Sequence, residues 1–152
     1  MTGQITAIFV APARHAEQIA VDAVQLKAGR GIVGDRFFGF RQKQSGRNLT
    51  LIESEAIADF NQQYLQNLTL AATRRNLITQ GVRLNALIGK TFHIGEVLCR
   101  GMELCEPCKV MARSFPATDL TCTEIIYAFA NKGGLRAEVL TDGIIKVQDA
   151  IG

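Results

Sequence analysis

Two of the chain's four cysteines lie close together, in Leu104-Cys105-Glu106-Pro107-Cys108-Lys109. A thiolate binds soft metals and attacks sulfur, so this segment offers chemistry that an ordinary surface does not. Pro107 suits the first position of a helix, because its missing N–H would be unpaired there anyway. The segment therefore predicts a short helix through Val110 and Met111, with Cys108 in its first turn. A helix dipole and free backbone N–H groups favour a thiolate in that position, and Lys109 and Arg113 add positive charge.

Three chemistries compete for the pair. A zinc site needs about four ligands, usually as two such pairs. Only Cys99, Cys122, His15 and His93 remain, none at paired spacing. A thioredoxin-like dithiol fits Cys-x-x-Cys before a helix, but belongs after an early strand in a βαβ unit. Here the pair sits two-thirds along the chain. The third chemistry is a single cysteine that ligates a metal or carries sulfur, with Cys105 as accessory. Against all three stands the plain alternative that both are small core residues. Cys99, in a predicted strand, and Cys122, near a predicted helix cap, read as structural. Neither histidine has metal-like company.

A second group of candidates is basic. Gly31-Ile32-Val33-Gly34-Asp35-Arg36 combines a flexible backbone, a carboxylate and a guanidinium. Backbone N–H groups plus arginine are what a phosphate-like anion needs. The bland reading is an Asp–Arg pair stapling a turn. Arg74-Arg75-Asn76 opens a strand, and arginine forks bind phosphate bidentately. Its bland reading is a solvated basic edge. Thr50, in a short strand after Arg47, reads equally well as a core or surface threonine.

The elements that must position these residues are mostly strands. Gln4–Val10 is apolar on both alternating faces and reads as a buried strand. A second strand is expected near Gln18–Gln25, with Ile19, Val21 and Ala23 on one side. Asp35–Gly46 is polar and basic with embedded phenylalanines, a long loop of the kind that often carries function. Asn48–Ile52 reads as a strand, and Glu53 to about Gln66 as an amphipathic helix with Ile57, Phe60, Tyr64 and Leu68 at helical spacing. Short strands follow at Leu77–Thr79, Thr91–Ile94 and Glu96–Leu104. Thr121-Cys122-Thr123-Glu124 is a capping-box pattern opening a helix that stops at Gly133-Gly134. Leu135–Leu140 and Ile144–Val147 flank Asp142-Gly143, a hairpin signal. Many short strands with two or three helices predict an α+β domain on a curled or barrel-like sheet, not a doubly wound one.

The totals agree with one domain over residues 1–152. The chain is 47% hydrophobic and 20% charged, which is globular rather than disordered. No apolar run approaches a membrane span, and the N-terminus lacks the layout of a secretory signal. A cytoplasmic location with reduced thiols is the expectation. The net charge of +3 is too small to argue for nucleic acid by itself, although it fits a small anion if the arginines converge. A nucleic-acid-binding barrel lacks an aromatic motif to support it.

Taken in order, these segments resemble a MOSC domain, the module named from the C-terminal part of molybdenum cofactor sulfurase. The resemblance runs through Gly31–Arg36, Leu49–Glu53 with Glu55, Arg74–Thr79, Gly81-Val82 and Leu84-Asn85. It continues through Leu87–Gly89, Phe92–Gly95, Leu104–Cys108 and Gly133–Ala137, and ends with Val139-Leu140 and Gly143. It implies a β-barrel-like fold with a few short helices. It also implies that Cys108 is the molybdenum ligand, or a sulfur carrier. By the same resemblance, Arg74 and Asn76 would hold the phosphate of the molybdenum cofactor (molybdopterin), with Arg36 and Thr50 as weaker matches. Asp35 becomes a candidate proton relay. Family members act as sulfurase domains or as molybdenum-dependent reductases of N-hydroxylated compounds. The chain shows no aminotransferase-like segment for pyridoxal phosphate. A separate electron donor, or a separate cysteine desulfurase, is the implied partner of a small-molecule reaction. An exposed strand edge could support a homodimer, and nothing in the sequence demands one.

Overall fold

Two strands that are apolar on both faces organise the molecule. In the computed structural model, which describes residues 3–39, 48–116 and 118–152, these are β5 (Leu49–Glu53) and β6 (Leu77–Gln80). They pair in parallel, with Leu51 opposite Leu77, and helix α1 (Ser54–Tyr64) crosses between them. Strands joined by such a crossover are covered on both sides, which is why their sequences do not alternate. Leu49, Leu51 and Leu77 enter one core; Ile52 and Ile78 enter another.

The first core is the inside of a barrel. Around β5 and β6 are β1 (Gly3–Val10), β7 (Thr91–Ile94), β8 (Val97–Leu104), β9 (Leu135–Val139) and β11 (Ala150–Ile151). The order β11-β7-β8-β9-β5-β6-β1 closes on itself, because β1 also pairs with β11. The other pairings are antiparallel. Strand β2 (Ile19–Val21) extends β1 outside the closure. A separate sheet is formed by β10 (Gly143–Lys146), β3 (Ala23–Lys27) and β4 (Gly31–Ile32). Cys99 faces the barrel interior, where burial pushes its thiol up to about 12. It is therefore protonated and inert.

The second core lies between the barrel wall and the helices α1, α2 (Lys109–Arg113) and α3 (Cys122–Ala128). Phe60 is its centre, with ring centroids 4.8 Å from Phe129, 5.3 Å from Tyr64 and 5.8 Å from Phe115. The predicted capping box on α3 is present. Thr121 Oγ1 accepts from the Glu124 N–H, and Glu124 Oε1 accepts from the Thr121 N–H, both at 3.1 Å.

Four expectations are corrected. Asp142-Gly143 is not a hairpin turn. Strand β9 pairs with β8 and β5, whereas β10 leaves for β3. A type I′ turn needs positive φ at both central residues, and neither has it. Asp142 is used elsewhere, accepting from the Ala28 N–H at 2.7 Å. The second predicted strand is two, broken at Asp22 so that β2 and β3 join different sheets. Helix α3 ends at Ala128, before the glycine pair, with Asn131 in the left-handed region at φ 62°. Cys108 is the residue capping α2 rather than part of its first turn, since its φ of −143° and ψ of 176° are extended. The predicted loop Asp35–Gly46 lies outside the described residues beyond Gly39. Its described start is a series of turns.

Candidate functional site

Arg74-Arg75-Asn76 is the hinge of the site. Five of its backbone groups are tied. The Arg74 N–H donates to Ala71 O at 3.0 Å, and Arg74 sits at φ 63°. Its carbonyl accepts from Arg36 Nη2 at 3.0 Å. The Arg75 carbonyl accepts from Gln18 Nε2 at 3.3 Å. The Asn76 N–H donates to Thr50 Oγ1 at 3.0 Å, and its carbonyl accepts from the Phe9 N–H at 2.7 Å. The three side chains then leave in different directions.

Asn76 goes inward and is fully buried. Its Oδ1 accepts from the Thr50 N–H at 3.2 Å and from Thr50 Oγ1 at 3.1 Å, while Nδ2 donates to Phe9 O at 3.2 Å. Thr50 and Asn76 are thus brought together, but as partners of each other. They brace β1, β5 and β6 rather than presenting donors to a ligand.

Arg74 goes toward Arg36. Among the described residues one of its terminal nitrogens is buried without a hydrogen-bond partner. Arg36 donates to Asp35 Oδ1 at 3.0 Å and to Gln18 Oε1 at 3.2 Å, and its guanidinium stacks 4.2 Å over the Phe37 ring. Burial lowers the Arg36 pKa, the charges of Arg74 and Arg75 press the same way, and Asp35 opposes them. The Asp35 carboxylate also accepts from the Ala11 N–H at 3.0 Å and the Phe37 N–H at 3.2 Å. Its acceptors are engaged in holding Arg36 and the turn, an arrangement of a positioning group more than of a proton shuttle. Among the described residues, the guanidiniums of Arg36, Arg74 and Arg75 thus press on one another, with Asp35 as the carboxylate that opposes them at Arg36. A buried guanidinium nitrogen lacking a partner is costly unless an anion completes it.

Arg75 goes to the cysteine turn. Its Nε donates to Gly133 O at 2.9 Å and its Nη2 to Cys105 O at 3.1 Å, with Met111 Sδ at 3.6 Å. The two cysteines differ. Cys105 is buried, its N–H donating to Gly134 O at 2.7 Å. Arg136 follows on β9 and donates to Glu103 Oε1 at 3.0 Å. Burial pulls the Arg136 pKa down, but the Cys105 sulfur and the Glu103 carboxylate outweigh it and the net shift is upward. Cys108 is exposed. Helix α2 has only five residues, so little dipole acts on Cys108.

Sequence reasoning missed Arg75, Gln18 and Arg136. Arg75 stands inside Arg74-Arg75-Asn76, and Gly133-Gly134 at the predicted helix stop. No local signal marks Gln18 as the residue that bridges Arg36 and Arg75.

The family model for the MOSC domain matches residues 32–152. The chain belongs to the MOSC domain family. Among solved structures, this MOSC domain is similar to the YUAD protein from Bacillus subtilis, at 16% identity and a TM-score of 0.85. That match covers 99% of this chain and 94% of the other. It is also similar to YiiM from Geobacillus stearothermophilus, at 18% identity and a TM-score of 0.74, covering 98% and 73%. For YiiM from Escherichia coli the values are 19% and 0.71, covering 97% and 68%. At these identities the likeness concerns the fold, a mostly-β barrel with a few short helices. No curated protein matches the chain. Among the described residues, no helix of this MOSC domain is long and apolar enough to cross a membrane.

Proposed function

We propose that this MOSC domain binds the molybdenum cofactor and supports reduction of N-hydroxylated compounds. The observation that carries the reading is the guanidinium nitrogen of Arg74, buried and without a partner among the described residues, beside Arg36 and linked through Arg75 to the turn bearing an exposed Cys108. An anionic phosphate fits the first feature, and a soft metal fits the second.

The residues present suit such a group. Arg74 would donate to the phosphate, with Arg36 adding charge and Asp35 fixing Arg36 in place. Asn76 and Thr50 hold the backbone from which Arg74 projects. Among the described residues, no group of three or more His, Cys, Asp and Glu side chains converges. Cys108 would therefore be a single protein thiolate completing ligands that the cofactor brings. When bound, the group supplies redox and Lewis-acid chemistry at its metal. Electrons come from a separate protein, and the substrate is a small molecule.

The test is elemental mass spectrometry on protein purified from molybdenum-replete cells, with Cys108→Ala and Arg74→Ala alongside. Near-stoichiometric molybdenum is expected in the parent, with loss of at least tenfold in Cys108→Ala and weakened retention in Arg74→Ala. Full retention in Cys108→Ala sinks the reading.

Exposure of Cys108 favours a second reading, in which it carries a persulfide delivered by a cysteine desulfurase. Incubation with desulfurase and cysteine would then add one sulfur to the Cys108 peptide. An unmodified peptide rejects this. Both readings place the protein in the reducing cytoplasm, where a reactive thiol persists.

A further inference from the structure

The geometry points to Arg75 as the positioning residue that fixes the cysteine turn relative to the arginine cluster. The inference deepens the cofactor reading and rests on it. The anion-binding and thiol features lie on different segments: Arg74 precedes β6, and Cys108 follows β8. A ligand held at both ends needs their separation to be constant, which takes packing together with supporting hydrogen bonds.

Arg75 supplies the rigid link. Its own backbone is anchored by Gln18 and by the bonded Asn76 that follows. Its guanidinium is a flat fork whose Nε and Nη2 reach two carbonyls on two further segments, Gly133 O before β9 and Cys105 O after β8. A lysine ammonium is a single point on a flexible stem and does not reproduce a two-pronged contact. Gly133 allows the clamp to close. A Cβ there would run into the Cys105 carbonyl and meet Pro107 at 3.1 Å. Through this clamp Cys105 is sealed at 3% exposure while Cys108, three residues on, stays open. Arg75 thus sorts the two thiols as well as placing them. Its role here is that of a brace, since its Nε and Nη2 are directed at main-chain oxygens.

The experiment uses the full chain as Arg75→Met, which keeps the bulk and removes the fork, and Arg75→Lys, which keeps the charge. Three quantities are read: N-ethylmaleimide labelling of each cysteine by fragment-resolved mass spectrometry, molybdenum per chain, and circular dichroism. In Arg75→Met, labelling of Cys105 should rise at least tenfold while Cys99, buried in the barrel, stays protected. Molybdenum content should fall severalfold. Arg75→Lys should recover part of both losses. Unchanged Cys105 protection in Arg75→Met overturns the inference. So does parallel exposure of Cys99, which marks general unfolding instead of a released turn. If the parent protein carries no molybdenum but Cys105 is released in Arg75→Met, the positioning role stands and the cofactor reading falls.

Discussion

Asn76 uses its side-chain amide inside the protein, and this decides what its loss would do. Asn76→Ala would strand the Thr50 N–H, the Thr50 hydroxyl and the Phe9 carbonyl in a buried place. A stranded buried group costs about 1–3 kcal/mol, so a loss of roughly 3 kcal/mol is expected in denaturant unfolding. A change below about 1 kcal/mol would contradict the bracing role. Glu53 gives a prediction in pH. Burial raises its pKa above the ordinary 4.5, and Glu55 adds to this, while the Leu84 N–H and Arg83 oppose. A carboxyl with a raised folded pKa favours the protonated fold. Its contribution is fully present below the ordinary value and lost as pH rises through the folded one. Glu53→Gln should therefore gain melting temperature over the parent as pH rises from about 3 to 7. A difference that stays flat across that range excludes it. At this scale the sequence was half legible. Asp35-Arg36 was visible as an ion pair by adjacency. Thr50 and Asn76 were not visible as mutual partners, because twenty-six positions separate them and only the β5–β6 pairing brings them together.

The connections between elements show the same division. Periodicity marked α1, and the capping box marked α3, since both signals are contained in a few neighbouring residues. Strand partners are not so contained. Asp142-Gly143 has the composition of a tight turn, yet β10 finds β3 across the chain because Ile145 belongs to the same interior as Leu26. The turn between α3 and β9 carries a prediction of its own. Gly133→Ala should open the cysteine segment, because the added methyl meets the Cys105 carbonyl and Pro107. Overpacking of this kind costs about 1–3 kcal/mol, and thermal melting would show it. A Gly133→Ala protein with parental stability would mean that the turn yields freely.

For the whole molecule, two cores share one wall. The barrel core is enclosed by backbone pairing, whereas the outer core depends on three helices, two of them very short. Phe129→Ala, which removes a ring 4.8 Å from Phe60, should cost about 3–5 kcal/mol. Amide exchange in that variant should quicken in α1 and α3 before it quickens in β5 and β8. Uniform acceleration would show instead that the cores open as one. The curled sheet was legible from the number of short strands and the ordered motifs. The strand that closes it into the expected barrel was not, since β11 spans only Ala150–Ile151 and carries no periodic signal.

That closure has a consequence for synthesis. Gly3 pairs with Ile151 and Gln4 with Ala150, while Ile151 also meets Ile94. As the chain leaves the ribosome, β1 and β7 are both made before β11, the strand that joins them. Until it arrives, both present bare edges of N–H and C=O groups, the template on which a second chain can add. The seam that covers these edges thus rests on a strand of two residues.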